Sequence, residues 1–237
     1  MTSKIEYIRG QLLKKEAFGS DFLGMSKATG MFMRVREIEE RDGVDLAELE
    51  RTLGALLTKN LSHNNLIAYL GYERKESSFI ILSEYVMSVG NCDGSIASYI
   101  REYGMIEERI IRSFTNQIIQ GLAYLHDEGM SHNSLSTSNL LLEPDGSIKI
   151  ADFGIPTAAK SFKNIPTFQT LEPVGDKVDI WSLGAIVIEM FCGRPPWSQN
   201  GLNVVDEKPL QNVHISKDAW AKISAQGQSF ILDCFTM

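Results

Sequence analysis

The sequence predicts an α+β fold with a strand-rich first part and a mainly helical second part. Short β-prone runs separated by turn residues fill the first third of the chain, which suits an antiparallel sheet. Further along, apolar residues recur at helical spacing or fill whole segments of helix length. A chain of 237 residues with 43% hydrophobic content can bury a sizeable core in one domain or two closely packed lobes.

The first part, residues 1–86, reads as a small sheet with one helix. Strands are predicted over 5–13, 22–25 and 31–38, with a turn signal at 28–30, and a helix over about 45–60. Two further strands are predicted over 66–72 and 79–86. We expect this part to form one lobe, joined to the next near residues 84–86.

The second part, residues 87–237, is predicted to be mainly helical. One apolar stripe at spacings of three and four is formed by Ile111, Phe114, Ile118, Leu122 and Leu125. Residues 180–191 are apolar on nearly every side, which indicates a buried central helix because the run is too short to span a membrane. Short strands are predicted over 140–142 and 148–151, around a Pro-Asp-Gly turn.

Charge and cysteine content narrow the functional classes. A net charge of -7 argues against nucleic acid or an acidic membrane as partner, so we expect protein partners. Three cysteines, Cys92, Cys192 and Cys234, form no metal-ligand spacing and predict a reducing compartment without a disulfide framework. No signal peptide or membrane span is recognised in the sequence, so the expected location is cytoplasmic.

Three segments in chain order resemble the protein kinase family: SFTNQIIQGLAYL at 113–125, KVDIWSLG at 177–184 and MFCGRPPWS at 190–198. Their wording is similar to that of fungal-type MAP kinase kinase kinases. Ser134 and Asn139 keep the interval of the catalytic-loop pattern H-R-D-L-x-x-x-N, and Asp152-Phe153-Gly154 supplies the D-F-G motif after a strand. The resemblance implies a two-lobed kinase fold, ATP and Mg²⁺ as cofactors, and MAP kinase kinases or kinase paralogues as partners.

Under this resemblance the nucleotide-binding residues depart from the family pattern. In the segment that matches the Gly-rich loop, only Gly19 keeps a motif glycine, and Glu16 would repel phosphates. Arg36 replaces the phosphate-binding lysine, for which its planar fork is a poor substitute. The helix Glu that pairs with this lysine falls at Gly54, with Glu50 as the alternative if the register shifts.

The resemblance also assigns residues to the adenine pocket. These predicted cofactor-binding positions are Asp21, Arg34, Glu84, Val86 and Leu141. Asp21 and Arg34 replace apolar roof residues, and we hypothesise a cross-strand ion pair between them that partly occupies the adenine space. The alternative is a shifted register in which both side chains point to solvent.

The catalytic loop matches the family in spacing but not in chemistry. Ser134 stands at the base position, where a neutral hydroxyl cannot accept the substrate proton as an aspartate does. Ser136 replaces a lysine that contacts phosphate, and Asn133 replaces the arginine that senses activation-loop phosphorylation. Asn139 and Asp152 remain as candidate Mg²⁺ ligands, or as hydrogen-bond partners that stabilise the loops. His132 is expected to be structural.

The segment after the D-F-G motif also departs from the family. Only 27 positions separate Asp152 from Asp179, so the activation segment and substrate platform look shortened. Glu172 keeps the place of the A-P-E glutamate, but its arginine partner lies in a D-P-x-x-R-P motif that the sequence does not contain. The resemblance implies that the family would continue into this motif and a final helix, so the expected C-lobe lacks its final helices. We expect the omission of that helix to uncover apolar surface near residues 230–235.

Three functions remain open at this stage. The first is a catalytically impaired pseudokinase that acts through protein interactions in signalling. The second is a weakly active ATP-dependent serine/threonine kinase that phosphorylates MAP kinase kinases. The third is a shortened paralogue without a function of its own. All three place the whole sequence in one kinase domain, with residues 1–86 as N-lobe and 87–237 as C-lobe.

Overall fold

The computed structural model describes residues 5–16, 19–39, 46–76, 78–87, 93–155, 175–196, 213 and 215–236. A five-stranded sheet of order β1-β2-β3-β5-β4 forms the first part, and its neighbouring strands are antiparallel. The strands are β1 (Tyr7–Glu16), β2 (Gly19–Ser26), β3 (Phe32–Glu39), β4 (Tyr69–Arg74) and β5 (Ser78–Glu84). The predicted antiparallel sheet is therefore present.

The strand predicted to begin at residue 66 begins only at Tyr69. Leu66 instead makes an isolated parallel bridge to Ile150, and the Ile67 amide donates to the Ile150 carbonyl over 2.9 Å. These residues therefore connect the first part of the molecule to the second.

One helix, α1 (Leu46–Lys59), packs on the sheet. Its buried leucines, Leu46, Leu49, Leu53 and Leu56, recur at helical spacing. They share a hydrophobic core with Ile38, Phe79 and Ile81. Because β-strand side chains alternate between faces, this core covers one face of the sheet only.

The second part is mainly helical, as predicted. Its helices are α2 (Ile96–Tyr103), α3 (Glu108–Asp127), α4 (Asp176–Cys192), α5 (Lys217–Lys222) and α6 (Ala225–Phe235). The two strands β6 (Leu140–Leu142) and β7 (Ile148–Ile150) pair antiparallel. Serine side chains cap the N-termini of α2, α5 and α6, since each accepts a hydrogen bond from a backbone amide three residues later.

The helix α6 packs closely on the buried helix α4. Gly184 permits this approach, because a Cβ at that position would lie 2.7 Å from the Cβ of Cys234. Trp181 meets Phe235 edge to face, with ring centroids 5.2 Å apart. The expected exposure of residues 230–235 is wrong for Ile231, Cys234 and Phe235, which are buried. Phe230 is half-buried and lines a groove of about 190 Å³ between α3, α4 and α6.

Several predictions lie outside the described residues. These concern Cys92, Glu172, the shortened activation segment and the side chain of Glu16. In the part of the chain that the structure describes, no helix combines the length and apolar character needed to cross a bilayer.

Candidate active site

Four charged side chains meet where the sheet faces the β6–β7 hairpin: Asp21, Arg34, Arg36 and Asp152. Asp21 in β2 lies opposite Arg36 in β3, and Arg34 is two residues from Arg36, so these three project from the same sheet face. Asp152 follows β7 and has φ +63°, a left-handed backbone conformation that turns its carboxylate toward the sheet residues.

The contact between Asp21 and Arg34 predicted from the sequence is present. Arg34 donates to Oδ2 of Asp21 from Nε over 3.0 Å and from Nη2 over 2.7 Å. Arg36 adds two bonds to the same carboxylate, from Nε to Oδ1 over 2.7 Å and from Nη2 to Oδ2 over 3.0 Å. A shifted register with solvent-facing side chains is therefore not observed.

Both arginines also reach Asp152, which the sequence did not predict. Arg34 Nη1 donates to Oδ1 of Asp152 over 3.2 Å, and Arg36 Nη1 donates to Oδ2 over 2.6 Å. Each carboxylate thus contacts both guanidinium groups. Hydrogen bonds thus join two positively and two negatively charged side chains in a ring, which we call the charge tetrad.

Burial makes the charge tetrad electrostatically strong. The exposed fractions of its side chains are 6% for Asp21, 14% for Arg34, 9% for Arg36 and 8% for Asp152. Burial by itself would raise the pKa of both carboxyl groups, but attraction to Arg34 and Arg36 and the hydrogen bonds from them lower each pKa below its ordinary value. Both carboxylates are therefore charged at neutral pH.

The helix α1 presents different residues to this site than the family pattern requires. Gly54 has no side chain to offer, and Glu50 pairs with Arg74 at the surface over 2.8 Å. The residues of α1 that lie against the D-F-G motif are Thr52 and Leu56, which would contact a Cβ at Gly154 at 3.3 and 2.9 Å. Two carboxylate partners of Arg36 therefore come from β2 and from the D-F-G motif.

Phe153 anchors the D-F-G motif in the core. It is 1% exposed, and its ring lies edge-on to Tyr69 with centroids 5.0 Å apart. The Tyr69 hydroxyl donates to the Phe153 carbonyl over 3.1 Å. Since Tyr69 begins β4, this bond ties the sheet to the backbone beside Asp152.

In the catalytic loop, Ser134 faces a buried histidine. The Nε2 of His132 lies 2.9 Å from the Ala151 carbonyl, which can only accept, so Nε2 carries the proton and Nδ1 is an acceptor. The Ser134 hydroxyl lies 3.4 Å from this Nδ1. Burial lowers the pKa of His132, so the ring is neutral at pH 7. His132 thus connects two backbone segments, because its ring also lies 3.4 Å from the Ser134 amide.

The other loop residues chiefly hold the backbone in place. Asn139 Nδ2 donates to the Ser134 carbonyl over 3.0 Å, and the Asn139 amide donates to the Ser136 carbonyl over 3.0 Å. Asn133 accepts from the Gly175 amide over 3.1 Å, which joins the loop to the start of α4. These bonds agree with the interpretation of Asn139 as a loop-stabilising residue.

Sequence reasoning did not assign a role to Asp179, which organises this loop. Its carboxylate accepts from the backbone amides of His132 and Asn133 over 2.7 and 2.8 Å, and lies 2.8 Å from Nε2 of His126. Asp179 is fully buried in α4. The available signal was an acidic residue flanked by the apolar residues Val178, Ile180 and Trp181 in α4. A carboxylate at such a position can be buried only if its oxygens are paired.

Below the sheet lies a cavity of about 50 Å³, at the position where the family resemblance predicts adenine. Among the predicted cofactor-binding residues, Asp21, Arg34, Val86 and Leu141 line it. Lys14, Asp93 and Ser138 also line the cavity and were not predicted from the sequence. Lys14 Nζ and Asp93 Oδ2 are 3.1 Å apart. Spacing alone gave no signal for these contacts.

The other two predicted cofactor-binding residues have structural partners. Glu84 Oε1 accepts from the Ala68 amide over 2.8 Å and from Lys149 Nζ over 3.0 Å. Gly19 pairs in the sheet, where a Cβ would lie 2.4 Å from the Glu37 carbonyl oxygen. A close approach of two strands therefore explains this glycine without reference to phosphate.

The residues present do not fit Mg²⁺-ATP. Ligand pockets measure about 300 to 1,000 Å³, far more than this cavity offers. Both oxygens of Asp152, the position that binds metal in the D-F-G motif, already accept hydrogen bonds from arginines. A metal ion there would also meet two fixed positive charges.

Comparison with known proteins places these features in a family. The model of the protein kinase domain matches residues 7–237. The chain is 35% identical to the "Mitogen-activated protein kinase kinase kinase mkh1" of Cytospora mali, over 98% of this chain and 14% of that protein. It is 35% identical to a serine/threonine-protein kinase of Saccharomyces cerevisiae, over 97% of this chain and 17% of that protein.

A plant relative gives the same result. The chain is 32% identical to "Mitogen-activated protein kinase kinase kinase 2" of Arabidopsis thaliana, over 97% of this chain and 38% of that protein. The chain thus spans well under half the length of these curated relatives. From the family match, the identities and the two-part architecture, this chain belongs to the protein kinase family and is similar to the MAP kinase kinase kinases.

Proposed function

We propose that this chain is a catalytically impaired kinase domain that acts through protein interactions in MAP kinase signalling. One observation carries the proposal: both carboxylate oxygens of Asp152 accept hydrogen bonds from Arg34 and Arg36. In active kinases the D-F-G aspartate holds the metal that bridges the nucleotide phosphates. Here the charge of the same carboxylate is compensated by two arginines of the protein itself.

The catalytic loop supports the same conclusion. Ser134 occupies the base position, and a serine hydroxyl does not accept a proton at neutral pH as a carboxylate does. Its neighbour His132 is neutral but buried, with Nδ1 directed at Ser134 itself. Asn139 and Asp179 nonetheless make hydrogen bonds to the loop backbone at His132, Asn133 and Ser134. These features support a kinase scaffold whose base position carries no proton-accepting carboxylate.

The proposed partners follow from the relatives. Since the matched proteins carry the name MAP kinase kinase kinase, we propose that this chain binds MAP kinase kinases or related kinases in the cytoplasm. The net charge of -7 favours protein partners over nucleic acid. A bound partner would recognise the folded domain and would require no phosphate transfer.

A weakly active serine/threonine kinase is the second candidate, and one observation favours it. The Ala151 amide donates to the Asn139 carbonyl over 2.8 Å, which keeps Asn139 beside Asp152 as two oxygen ligands of a metal would require. If Arg34 and Arg36 released Asp152, the side-chain oxygens of Asn139 and Asp152 could bind a metal ion. This function needs the charge tetrad to open during turnover.

Phosphate transfer separates the two candidates. The purified chain is mixed with a purified MAP kinase kinase and Mg²⁺-ATP labelled at the γ-phosphate, and Asp152→Ala serves as the control for contaminating kinases. Our proposal expects equal, background incorporation from both proteins, while the MAP kinase kinase still binds the chain without nucleotide. Incorporation by the natural sequence that Asp152→Ala abolishes would establish the weak kinase instead.

A repaired base position sharpens this assay. Ser134→Asp restores a carboxylate to the loop but leaves Asp152 engaged by the arginines, so incorporation should stay at background. Strong activity from this single substitution would show that Ser134 was the sole defect and would contradict the proposal.

A further inference from the structure

The charge tetrad connects the two parts of the molecule. Asp21, Arg34 and Arg36 belong to the sheet, whereas Asp152 follows β7 in the second part. Two of its hydrogen bonds cross between these parts, from Arg34 to Oδ1 and from Arg36 to Oδ2 of Asp152. The residues joined are 118 and 116 positions apart in the chain.

We infer that the contacts of Arg34 and Arg36 with Asp152 form an interlobe clasp, which holds the cleft closed with no nucleotide or metal. A ligand shifts the equilibrium between open and closed lobes only if it binds the closed state more tightly. In a kinase whose cleft is filled by ligand, the ligand therefore stabilises closure. Here the contacts across the cleft are built into the chain. The two guanidinium groups supply the positive charge that a metal would otherwise bring to Asp152.

The interlobe clasp is more deeply buried than the exposed ion pairs between the two parts. A partly buried pair, Lys149 with Glu84 at 14% and 31% exposed, also joins them. Lys14 is paired with Asp93 with side chains 28% and 19% exposed, and Lys59 is paired with Glu128 with 41% and 42% exposed. Exposed pairs of this kind contribute little, since water screens them. Asp152 is 8% exposed. If the lobes moved apart, its carboxylate would lose Arg34 and Arg36, and a buried charge without its partners is costly.

The backbone around Asp152 is placed for the same closed arrangement. Asp152 has φ +63°, and Tyr69 in the sheet donates to the next carbonyl, that of Phe153. Gly154 lies against Leu56 of α1. The D-F-G segment is therefore held from the sheet, from α1 and by the interlobe clasp, so its conformation does not require a ligand.

Hydrogen exchange and small-angle X-ray scattering on the full chain test this inference. The exchange of residues 148–155 and the radius of gyration are measured with and without 5 mM Mg²⁺-ATP, for the natural sequence, Arg34→Gln, and Asp152→Asn. Arg9→Gln is the matched control, because Arg9 makes a 2.7 Å pair with Glu37 in the same sheet but is 51% exposed.

For the natural sequence we expect no change on addition of Mg²⁺-ATP. Arg34→Gln should speed exchange of residues 148–155 by about tenfold or more, since charged hydrogen bonds contribute about 1.5 to 3 kcal/mol. The radius of gyration should increase, while residues 181–190 in α4 and the Arg9→Gln protein stay unchanged. Asp152→Asn should also speed this exchange and increase the radius of gyration, because it removes the negative charge of the clasp. Asparagine keeps the side-chain shape and tolerates a positive φ.

The outcomes distinguish this inference from the proposed function. Unchanged exchange and scattering in both Arg34→Gln and Asp152→Asn would overturn the interlobe clasp and leave the proposed function intact. A compaction of the natural sequence by Mg²⁺-ATP would overturn both. If Arg34→Gln does not fold, Asp152→Asn alone decides, since it changes one oxygen to an amide nitrogen and adds no volume.

Discussion

Arg36 Nη1 lies 2.6 Å from Oδ2 of Asp152, although 116 positions separate the two residues in the chain. The family resemblance assigns these two positions to the lysine that binds phosphate and the aspartate that binds metal. Here they meet directly. Arginine carries a planar guanidinium with several N–H donors where lysine carries one ammonium group, so Arg36 can bind the carboxylate directly without a ligand between them.

Substitution of any single member of the charge tetrad should destabilise the folded protein. Asp21→Asn leaves Arg34 and Arg36 with one buried carboxylate between them, and we expect a loss of about 3 to 5 kcal/mol in the free energy of unfolding. Urea unfolding followed by circular dichroism measures it. Glu50→Gln is the matched control, because its pair with Arg74 is 40% and 46% exposed and should contribute about 0 to 1 kcal/mol.

Stability should fall in acid because of the same carboxylates. The pKa values of Asp21 and Asp152 are lowered in the folded state, so their contribution is complete above the unfolded carboxyl pKa of about 3.9. It is lost as pH falls from there through the folded-state pKa values. Urea midpoints measured between pH 7 and pH 3 should drop most steeply at the acidic end, and the drop should be shallower for Asp21→Asn. Equal slopes for the two proteins would count against a buried, charged Asp21.

Opening the adenine roof should admit nucleotide. Asp21→Val with Arg34→Ala restores the residue types of the family and removes the side chains that line the remaining cavity, so we expect affinity for Mg²⁺-ATP to rise at least about tenfold. Fluorescent ATP analogues measure the change by anisotropy. The paired control Arg9→Ala with Glu37→Val removes an ion pair of the same sheet outside the cavity and should bind no better than the natural sequence. No gain in the first variant would contradict occlusion by these two residues.

Two glycine-to-alanine changes should have opposite signs. At Gly184 a Cβ would lie 2.7 Å from Cys234 Cβ and 3.0 Å from the Phe235 ring, so alanine should destabilise the protein by about 1 to 3 kcal/mol. At Gly54 in α1 the nearest atom is the Tyr72 hydroxyl at 3.6 Å, so alanine should stabilise by up to about 1 kcal/mol. Thermal unfolding of both variants checks the helix packing. A stabilised Gly184→Ala protein would show that α6 does not pack on α4 as described.

Periodicity and motif spacing predicted the fold well. The β-prone runs that became β2 and β3 and the three-four spacing in α3 are local signals, and all three elements are present. The beginning of β4 was misplaced because Leu66 is as apolar as a strand residue but pairs with Ile150 outside the sheet. A hydrophobic pattern reports burial and does not report which partner supplies it.

The candidate site was predicted only in part. The neighbouring strands and opposite charges of Asp21 and Arg34 were enough to predict their contact. The reach of both arginines to Asp152 could not be predicted, since it depends on how closely the sheet approaches the hairpin. Asp179 likewise pairs with amides 46 and 47 positions away, which no local pattern encodes.

Titration of the full chain with Mg²⁺-ATP tests the central claim most directly. A ligand that binds only the folded state must raise the unfolding temperature, by a free energy of RT ln(1 + [L]/Kd). Because Asp152 is engaged by Arg34 and Arg36 and the remaining cavity measures about 50 Å³, we predict no shift up to millimolar nucleotide. A saturable rise in unfolding temperature that Asp152→Ala abolishes would contradict a site closed by its own arginines.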